Sequence, residues 1–466
     1  MVAKSCQITA MKRRVAVAVC FLCSILLSPA SAKNQPTIAL VGGTLLDGHE
    51  SRPLHNAVVV IEGNRIVAVG QRDQVKIPEG AVIIDTRGKT ILPGLIDAHI
   101  HLDLIGHGLY ERYYQFLAKQ SSYHEVMRIA AKQLLRAGVT GGIDLGAPFS
   151  ILDIKKEIDS GKIPGPRLTV SGPWITRVSY EGGGEFDQYL IKSTREAVDA
   201  TIELIDKGAD VIKVWDGLTS EDYSAIVHEA HKRGVKVHAH LYDPPAIRKA
   251  LDAGVDVLQH MGSAGYPPYE PELIAEIARK RVPVVQTISH RIWIYPASVE
   301  FPGRLDNPTL ERDFPEHIYS ELQRSFERIA ELPYFSEIEQ ETSNAKKSAA
   351  QFIDARAYIG VGTDAASPLN FHTEAIWREM SALVDAGMTP IQVISAATKN
   401  NAEIVGRGDE LGTIEPGKLA DILVVDGNPL FDINVLGSVS FVIKDGVPWY
   451  DAESAPDALA EIGRPF

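Results

Sequence analysis

Between residues 37 and 92 the chain alternates short apolar runs, at 38–41, 57–61, 66–69 and 82–84, with polar turns at Asp47-Gly48, Glu62-Gly63-Asn64 and Glu79-Gly80. Runs rich in Val and Ile, bounded by turn residues, predict strands joined by hairpins and hence a small antiparallel sheet. From about Pro93 the rhythm changes. Compact apolar runs at 94–101, 139–145, 167–171, 210–215, 235–240, 255–260, 282–288 and 358–364 now alternate with longer amphipathic stretches. At 221–233 the apolar residues Tyr223, Ile226, Val227 and Ala230 recur at helical spacing, and 245–253 is a second clear helix. Strand alternating with helix predicts a parallel sheet, and eight such units predict a closed (β/α)8 TIM barrel.

The connection from 289 to 357 is too long for a simple crossover, so it is expected to hold extra helices over one face of the barrel. After a last barrel helix at 390–405, strand-and-turn language returns at 412–417, 420–425 and 439–444. The two β-rich segments flank the barrel and are expected to share one composite β-sandwich. The domain reading is therefore residues 33–92 and 406–450 for the sandwich, 93–405 for the barrel and 451–466 for a tail.

Residues 1–32 follow a different logic. Lys12, Arg13 and Arg14 precede an apolar run at 15–27, and Ala30-Ser31-Ala32 supplies small residues for cleavage, the pattern of an export signal. The apolar run falls short of the roughly 20 residues that a membrane span needs. The Arg13-Arg14 pair leaves both general and twin-arginine export open. A bacterial protein of this kind is expected in the periplasm or outside the cell, without a membrane partner once the segment is removed. All three cysteines, Cys6, Cys20 and Cys23, lie in that segment, so the mature chain has neither disulfides nor thiolate metal sites. Losing the segment's four positive charges moves the net charge from -13 to -17, which argues against nucleic acid or an anionic membrane as partner. A homo-oligomer is compatible with this composition, which does not decide the matter.

Four of the fourteen histidines, His99, His101, His238 and His260, stand at the C-terminal ends of the expected barrel strands, where this architecture builds active sites. His99 and His101 are two apart on one strand, so both rings point to the same face and can hold one metal. Asp364, in Val361-Gly362-Thr363-Asp364, ends strand eight, which meets strand one when a barrel closes, and it can complete a His, His, Asp set. Lys213 lies in the apolar strand Val211-Ile212-Lys213-Val214-Trp215, where an ammonium carries a large desolvation penalty. It requires an anionic partner or a chemical change.

Together these pieces resemble the amidohydrolase superfamily, in its imidazolonepropionase-like and Xaa-Pro dipeptidase-like branch. The matching stretches are Pro93-Gly94-Leu95-Ile96-Asp97-Ala98-His99-Ile100-His101, Ile212-Lys213-Val214, Val237-His238-Ala239-His240, Gln259-His260, Gly362-Thr363-Asp364 and the closing run from Gly412 to Asp421. They appear in order over nearly all of residues 37 to 450. The resemblance implies that His99, His101 and Asp364 hold one divalent ion and that His238 and His260 hold a second. Lys213, carboxylated by CO2, would bridge the two. It implies zinc as the natural metal for histidine with carboxylate, with manganese, cobalt and iron left open. His240 is expected to touch the small-molecule substrate or to support the ligands. Where the family usually reads Glu-His-Gly, this chain has Gln259-His260-Met261-Gly262, so the shape beside that ligand is expected to differ.

The activity implied is hydrolysis of an amide bond, with water activated between the metals and Asp364 moving its proton to the leaving nitrogen. The start of the long connection, with His290, Arg291, Trp293 and Tyr295, offers cationic and aromatic contacts. It suggests a substrate bearing a carboxylate, held by Arg291, and an apolar group: an Xaa-Pro dipeptide or an N-acyl amino acid. Three other readings stay open: a lactonase or phosphotriesterase-like esterase, a one-metal cyclic-amidine deaminase, and a binding protein that has lost catalysis. The glycine run Gly182-Gly183-Gly184 lacks the lysine and hydroxyl of a phosphate loop and reads as an active-site loop.

Overall fold

The computed structural model describes residues 36–452 apart from 121, 181–187, 264, 265, 267, 333, 334, 336 and 337. The expected export segment, the glycine run and all but the first two residues of the tail lie outside the described residues. Among those described, no helix is long and apolar enough to cross a membrane.

Eight parallel strands stand where the apolar runs predict them: Leu95–Ile100, Val139–Asp144, Arg167–Val170, Val211–Val214, Lys236–His240, Val257–Gln259, Val284–Gln286 and Ile359–Val361. Strands one to three pair in order, as do strands four to eight. The Asp210 N–H joins strand three to strand four by donating to the Val170 carbonyl at 2.8 Å. Strand eight meets strand one through a parallel bridge between Ile100 and Ala365 and a Thr363 N–H that donates to the His99 carbonyl at 3.2 Å. The barrel is thereby closed. Inside it, Ala98, Ile143, Val211, Val257 and Val285 form one buried apolar cluster. The buried Asn401 amide braces the seam between strands one and eight, donating to the carbonyls of Ile96 and Val361 at 2.5 and 2.7 Å. Two short strands that the pattern does not announce, Trp174–Thr176 and Gln188–Leu190, extend the wall beside strand four.

The crossover helices carry their own start and stop signals. Ser220–Lys232 opens on a capping box in which Thr219 and Asp222 exchange hydrogen bonds, and it buries Tyr223, Ile226, Val227 and Ala230, the predicted stripe. Pro244–Ala253 is capped by the Asp243 side chain and ends at Gly254, whose φ of 83° is left-handed. The long seventh connection does hold helices, among them Glu316–Arg324 and Ile338–Asp354. Its Tyr295, Phe314, Ile318 and Phe326 share an apolar cluster with Tyr113, Tyr114 and Leu117, and this packing forms a cap beside the strand ends.

Both ends of the chain contribute to one eight-stranded sheet. Val59, Ile61 and Ile66 from the N-terminal side share a core with Ile422, Val424 and Ile443 from the C-terminal side, so the sheet closes on itself as a composite sandwich. The sheet is mixed, which corrects the antiparallel expectation: Ile38–Leu45 pairs antiparallel with Leu54–Glu62 but parallel with Val82–Asp85 and Lys89–Pro93. The physical reason is the intervening excursion after Arg65–Gln71, which brings the chain back in its original direction. Residues 412–417 form turns and not the expected strand, tied into the sheet by the Ile414 and Gly417 N–H groups, which donate to the carbonyls of Asp47 and Ile66.

Candidate active site

At the C-terminal mouth of the barrel lies a cavity of about 290 Å3 whose wall includes His99, His101, Lys213, His240, His260 and Asp364. A register slip between Asp97 and Ile100 marks a bulge at the level of His99, a common device for re-aiming side chains beside active sites. The buried Asp97 carboxylate then ties strand one to strand eight, accepting the N–H groups of His99 and Thr363 at 3.1 and 3.0 Å. His260 and Asp364 both adopt left-handed backbone, with φ of 65° and 55°. Such conformations cost about 1–3 kcal/mol each in non-glycine residues and persist where surrounding structure enforces them.

The polar atoms converge. His99 Nε2 lies 3.3 Å from His101 Nε2 and 3.6 Å from Asp364 Oδ1, which itself is 3.3 Å from His101 Nε2. Asp364 Oδ2 is 4.0 Å from His260 Nδ1, and donor atoms of His99, His260 and Asp364 all lie within 4.8 Å of one another. His101 can donate from Nδ1 to the Gly146 carbonyl at 3.2 Å, and His99 from Nδ1 to Gln259 Oε1 at 2.8 Å. Both inner nitrogens then present lone pairs toward a carboxylate. Three acceptors at this separation need a cation among them; a shared proton serves one pair, whereas a divalent ion serves all three.

Electrostatics point the same way. Burial, reinforced by Lys213, holds the His99 ring well below the usual histidine range, so it is a neutral ligand at working pH. Burial would raise the Asp364 carboxyl, but its contacts with the His101 and His99 rings outweigh this and keep the group ionised. Burial also draws Lys213 down to about 7 despite the opposing carboxylates of Asp364 and Asp144. Its buried Nζ has no hydrogen-bond partner among the described residues. A buried amine of this kind suits conversion to an anionic carbamate, and the donor set as a whole fits hard or borderline divalent metals.

The two strand-five histidines occupy different levels. His240 lines the cavity, its ring centroid 4.4 Å from that of His260 and 5.2 Å from that of Trp215. His238, two residues lower on the same strand, is not part of the cavity wall; its Nδ1 accepts from the Gln259 amide at 3.0 Å. The His238 Nε2, like the Nζ of its strand-four register partner Lys213, is buried without a hydrogen-bond partner among the described residues. Arg291 reaches the wall with its Nε 3.3 Å from Glu341 and its guanidinium 5.0 Å from the Tyr295 ring centre.

Sequence reasoning did not single out Trp174, Trp215 and Tyr242, whose rings shape the wall, nor the positioning hydrogen bonds of Gln259 and His372. Trp215 and Tyr242 each lie two residues beyond a named site residue on the same strand path, the one signal that marked them. Trp174 belongs to a strand that the apolar pattern did not disclose.

Fold and site together define a hydrolase built on a (β/α)8 barrel, with a donor set of the kind that holds divalent metals. The chain belongs to the amidohydrolase family, whose model matches residues 90–448. It is similar to the ochratoxinase of Aspergillus niger, at 26% identity over 90% of this chain and 87% of that protein. Imidazolonepropionase of Rhodococcus jostii is 25% identical over 80% of this chain and 83% of its own length. Among solved structures, a candidate prolidase from Bifidobacterium longum superposes with a TM-score of 0.69 at 28% identity, covering 91% of this chain and 98% of the other. The protein is thus a hydrolase acting on carbon–nitrogen bonds of small molecules.

Proposed function

We propose that this chain is a two-metal amidohydrolase that cleaves the amide bond of an Xaa-Pro-type dipeptide or an N-acyl amino acid. The convergence of His99, His101 and Asp364 as three acceptors carries this reading. His99, His101 and Asp364 would hold one ion and His238 and His260 the other, with His240 on the cavity wall toward the substrate. Lys213, as a carbamate, would supply a further anionic ligand. Its neutral amine adds to CO2, a nitrogen–carbon bond forms as one C=O π bond opens, one proton leaves to solvent, and a buried neutral group becomes an anion. Zinc suits this mixture of imidazole and carboxylate. When bound, the metals supply Lewis acidity that polarises the substrate carbonyl and makes water nucleophilic near neutral pH.

The chain's own residues do the rest. Asp364, kept ionised, accepts the proton of the attacking water and returns it to the leaving nitrogen. The cavity, about 290 Å3, takes a ligand of dipeptide size, with Trp174, Trp215 and Tyr242 against its apolar part and Arg291 near its carboxylate. Resemblance to a candidate prolidase favours this substrate class. The basic, apolar and small-residue sequence of residues 1–32 supports export to the periplasm or beyond.

Elemental analysis should find two divalent ions per purified chain; His238→Ala should bind fewer, and His240→Ala should keep both. Xaa-Pro dipeptides or N-acyl amino acids should turn over in parallel assays with a lactone and an aryl phosphotriester. A single ion per chain, or ester cleavage without amide cleavage, would refute the proposal.

A further inference from the structure

Histidines aside, the described residues of the cavity wall include four charged side chains, Lys213, Asp216, Arg291 and Asp364. The metal reading uses Lys213 and Asp364, which leaves one carboxylate and one guanidinium. Asp216 lies just beyond barrel strand four and Arg291 beyond strand seven, three places further round the barrel. Between them, strands five and six bring His240 and His260 to the same wall. A substrate that reaches both charges therefore passes over the metal donors.

Asp216 is exposed toward the cavity, and its carboxylate has no ion pair or hydrogen bond among the described residues. Only its backbone carbonyl is engaged, accepting from the Arg177 N–H at 3.1 Å and the Thr176 hydroxyl at 3.2 Å. The neighbouring Arg177 guanidinium is spent on Asp222, 2.6 Å away. Desolvation and the nearby Asp243 carboxylate both push the Asp216 carboxyl up, and no cation opposes them. Three aromatic rings of the wall stand beside it. The Trp215 ring centroid lies 5.4 Å from that of Trp174 and 4.8 Å from that of Tyr180, at interplanar angles of 79° and 74°. Rings set nearly at right angles form a corner, in which a cation meets π faces as well as the carboxylate.

We propose that Asp216 and this aromatic corner form a subsite for an ammonium group on the acyl half of the substrate, so that Asp216 selects dipeptides over N-acyl amino acids. The direction of the substrate, carboxylate toward Arg291 and acyl half toward Asp216, rests on the amide-cleaving reading above and narrows it. A free α-amine titrates at about 8 and is a cation at neutral pH. An N-acyl amino acid instead lays an uncharged group against Asp216, covering an ionised carboxylate without compensating it. Selection thus works from both sides: one class gains a charge-assisted hydrogen bond and the other is left with an unpaired charge.

The test compares L-alanyl-L-proline with N-propionyl-L-proline, which differ only by the α-ammonium. Metal-loaded wild-type protein should show a kcat/KM about 10- to 100-fold higher for alanylproline, the usual worth of a hydrogen bond to a charged group. Asp216→Asn should lose that preference while turnover of propionylproline stays near the wild-type value, and Asp216→Glu should keep part of it. Equal or reversed preference in the wild type, or an unchanged preference in Asp216→Asn, overturns the subsite and leaves amide hydrolysis standing. If neither compound is cleaved, the Xaa-Pro reading falls, and equilibrium binding followed by tryptophan fluorescence decides the subsite. Tighter binding of alanylproline that Asp216→Asn abolishes supports it; equal binding of the two compounds, or none, overturns it.

Discussion

Gly362→Ala adds a single methyl group where strand eight passes strand one. A Cβ built at Gly362 would lie 2.4 Å from Val285 Cγ1, 2.8 Å from His99 Cβ and 3.1 Å from the His99 nitrogen. Separations below 3 Å cannot persist, and none of these neighbours is the tip of a flexible chain: Val285 is β-branched and stiff, and the others lie on or next to the backbone. Relief must come from parting strands that hold His99 and Asp364. Overpacking of this kind costs about 1–3 kcal/mol. A ligand displaced by about 1 Å is expected to cost about 10²-fold in turnover. The matching control is Gly303→Ala, whose Cβ would meet nothing within 4 Å and which should change stability by less than about 0.5 kcal/mol. Thermal unfolding, metal content and kcat/KM measured on both variants form the assay. If Gly362→Ala kept the melting temperature, metal content and turnover of the parent, the claim that close contact at this seam sets the position of His99 would be refuted.

Other expectations follow from the same geometry. Lys213→Ala should lose metal and activity, with partial rescue by added short carboxylic acids; full metal content without rescue would contradict the carbamate. Arg291→Ala should raise KM for substrates carrying a carboxylate more than for neutral amides, and equal effects on both would exclude carboxylate recognition by this residue. A pH effect should arise away from the metal centre, at His107, buried with its Nδ1 accepting from the Leu109 N–H at 3.0 Å and its Nε2 facing Glu321 at 3.3 Å. Burial draws His107 down to about 4 despite Glu321, from an unfolded value of about 6.5. The unfolded chain therefore binds more protons between these values, so this stabilisation is complete above about pH 6.5 and is lost as pH falls toward about 4, at most about 3 kcal/mol. His107→Gln should flatten the melting temperature across that window, and an unchanged slope would show that the ring is not buried neutral.

The amino-acid sequence by itself determined the order and placement of the barrel strands, the faces of the crossover helices and the strand ends at which the chemistry sits. It could do so because a period of two assigns side chains to the faces of a strand, and a helical period assigns them to a buried stripe. Thus His99 and His101 converge as their spacing predicts, and Asp364 meets them because strand eight closes on strand one. Periodicity says nothing about height along the barrel axis. His238 and His240 share a face, and only the stagger of strand five against its neighbours lifts His240 into the cavity and leaves His238 beneath it. The mixed pairing of the small sheet, the contact of Arg291 with Glu341 and the grip of Gln259 on His99, 160 residues away, likewise depend on residues brought together only by closure of the fold.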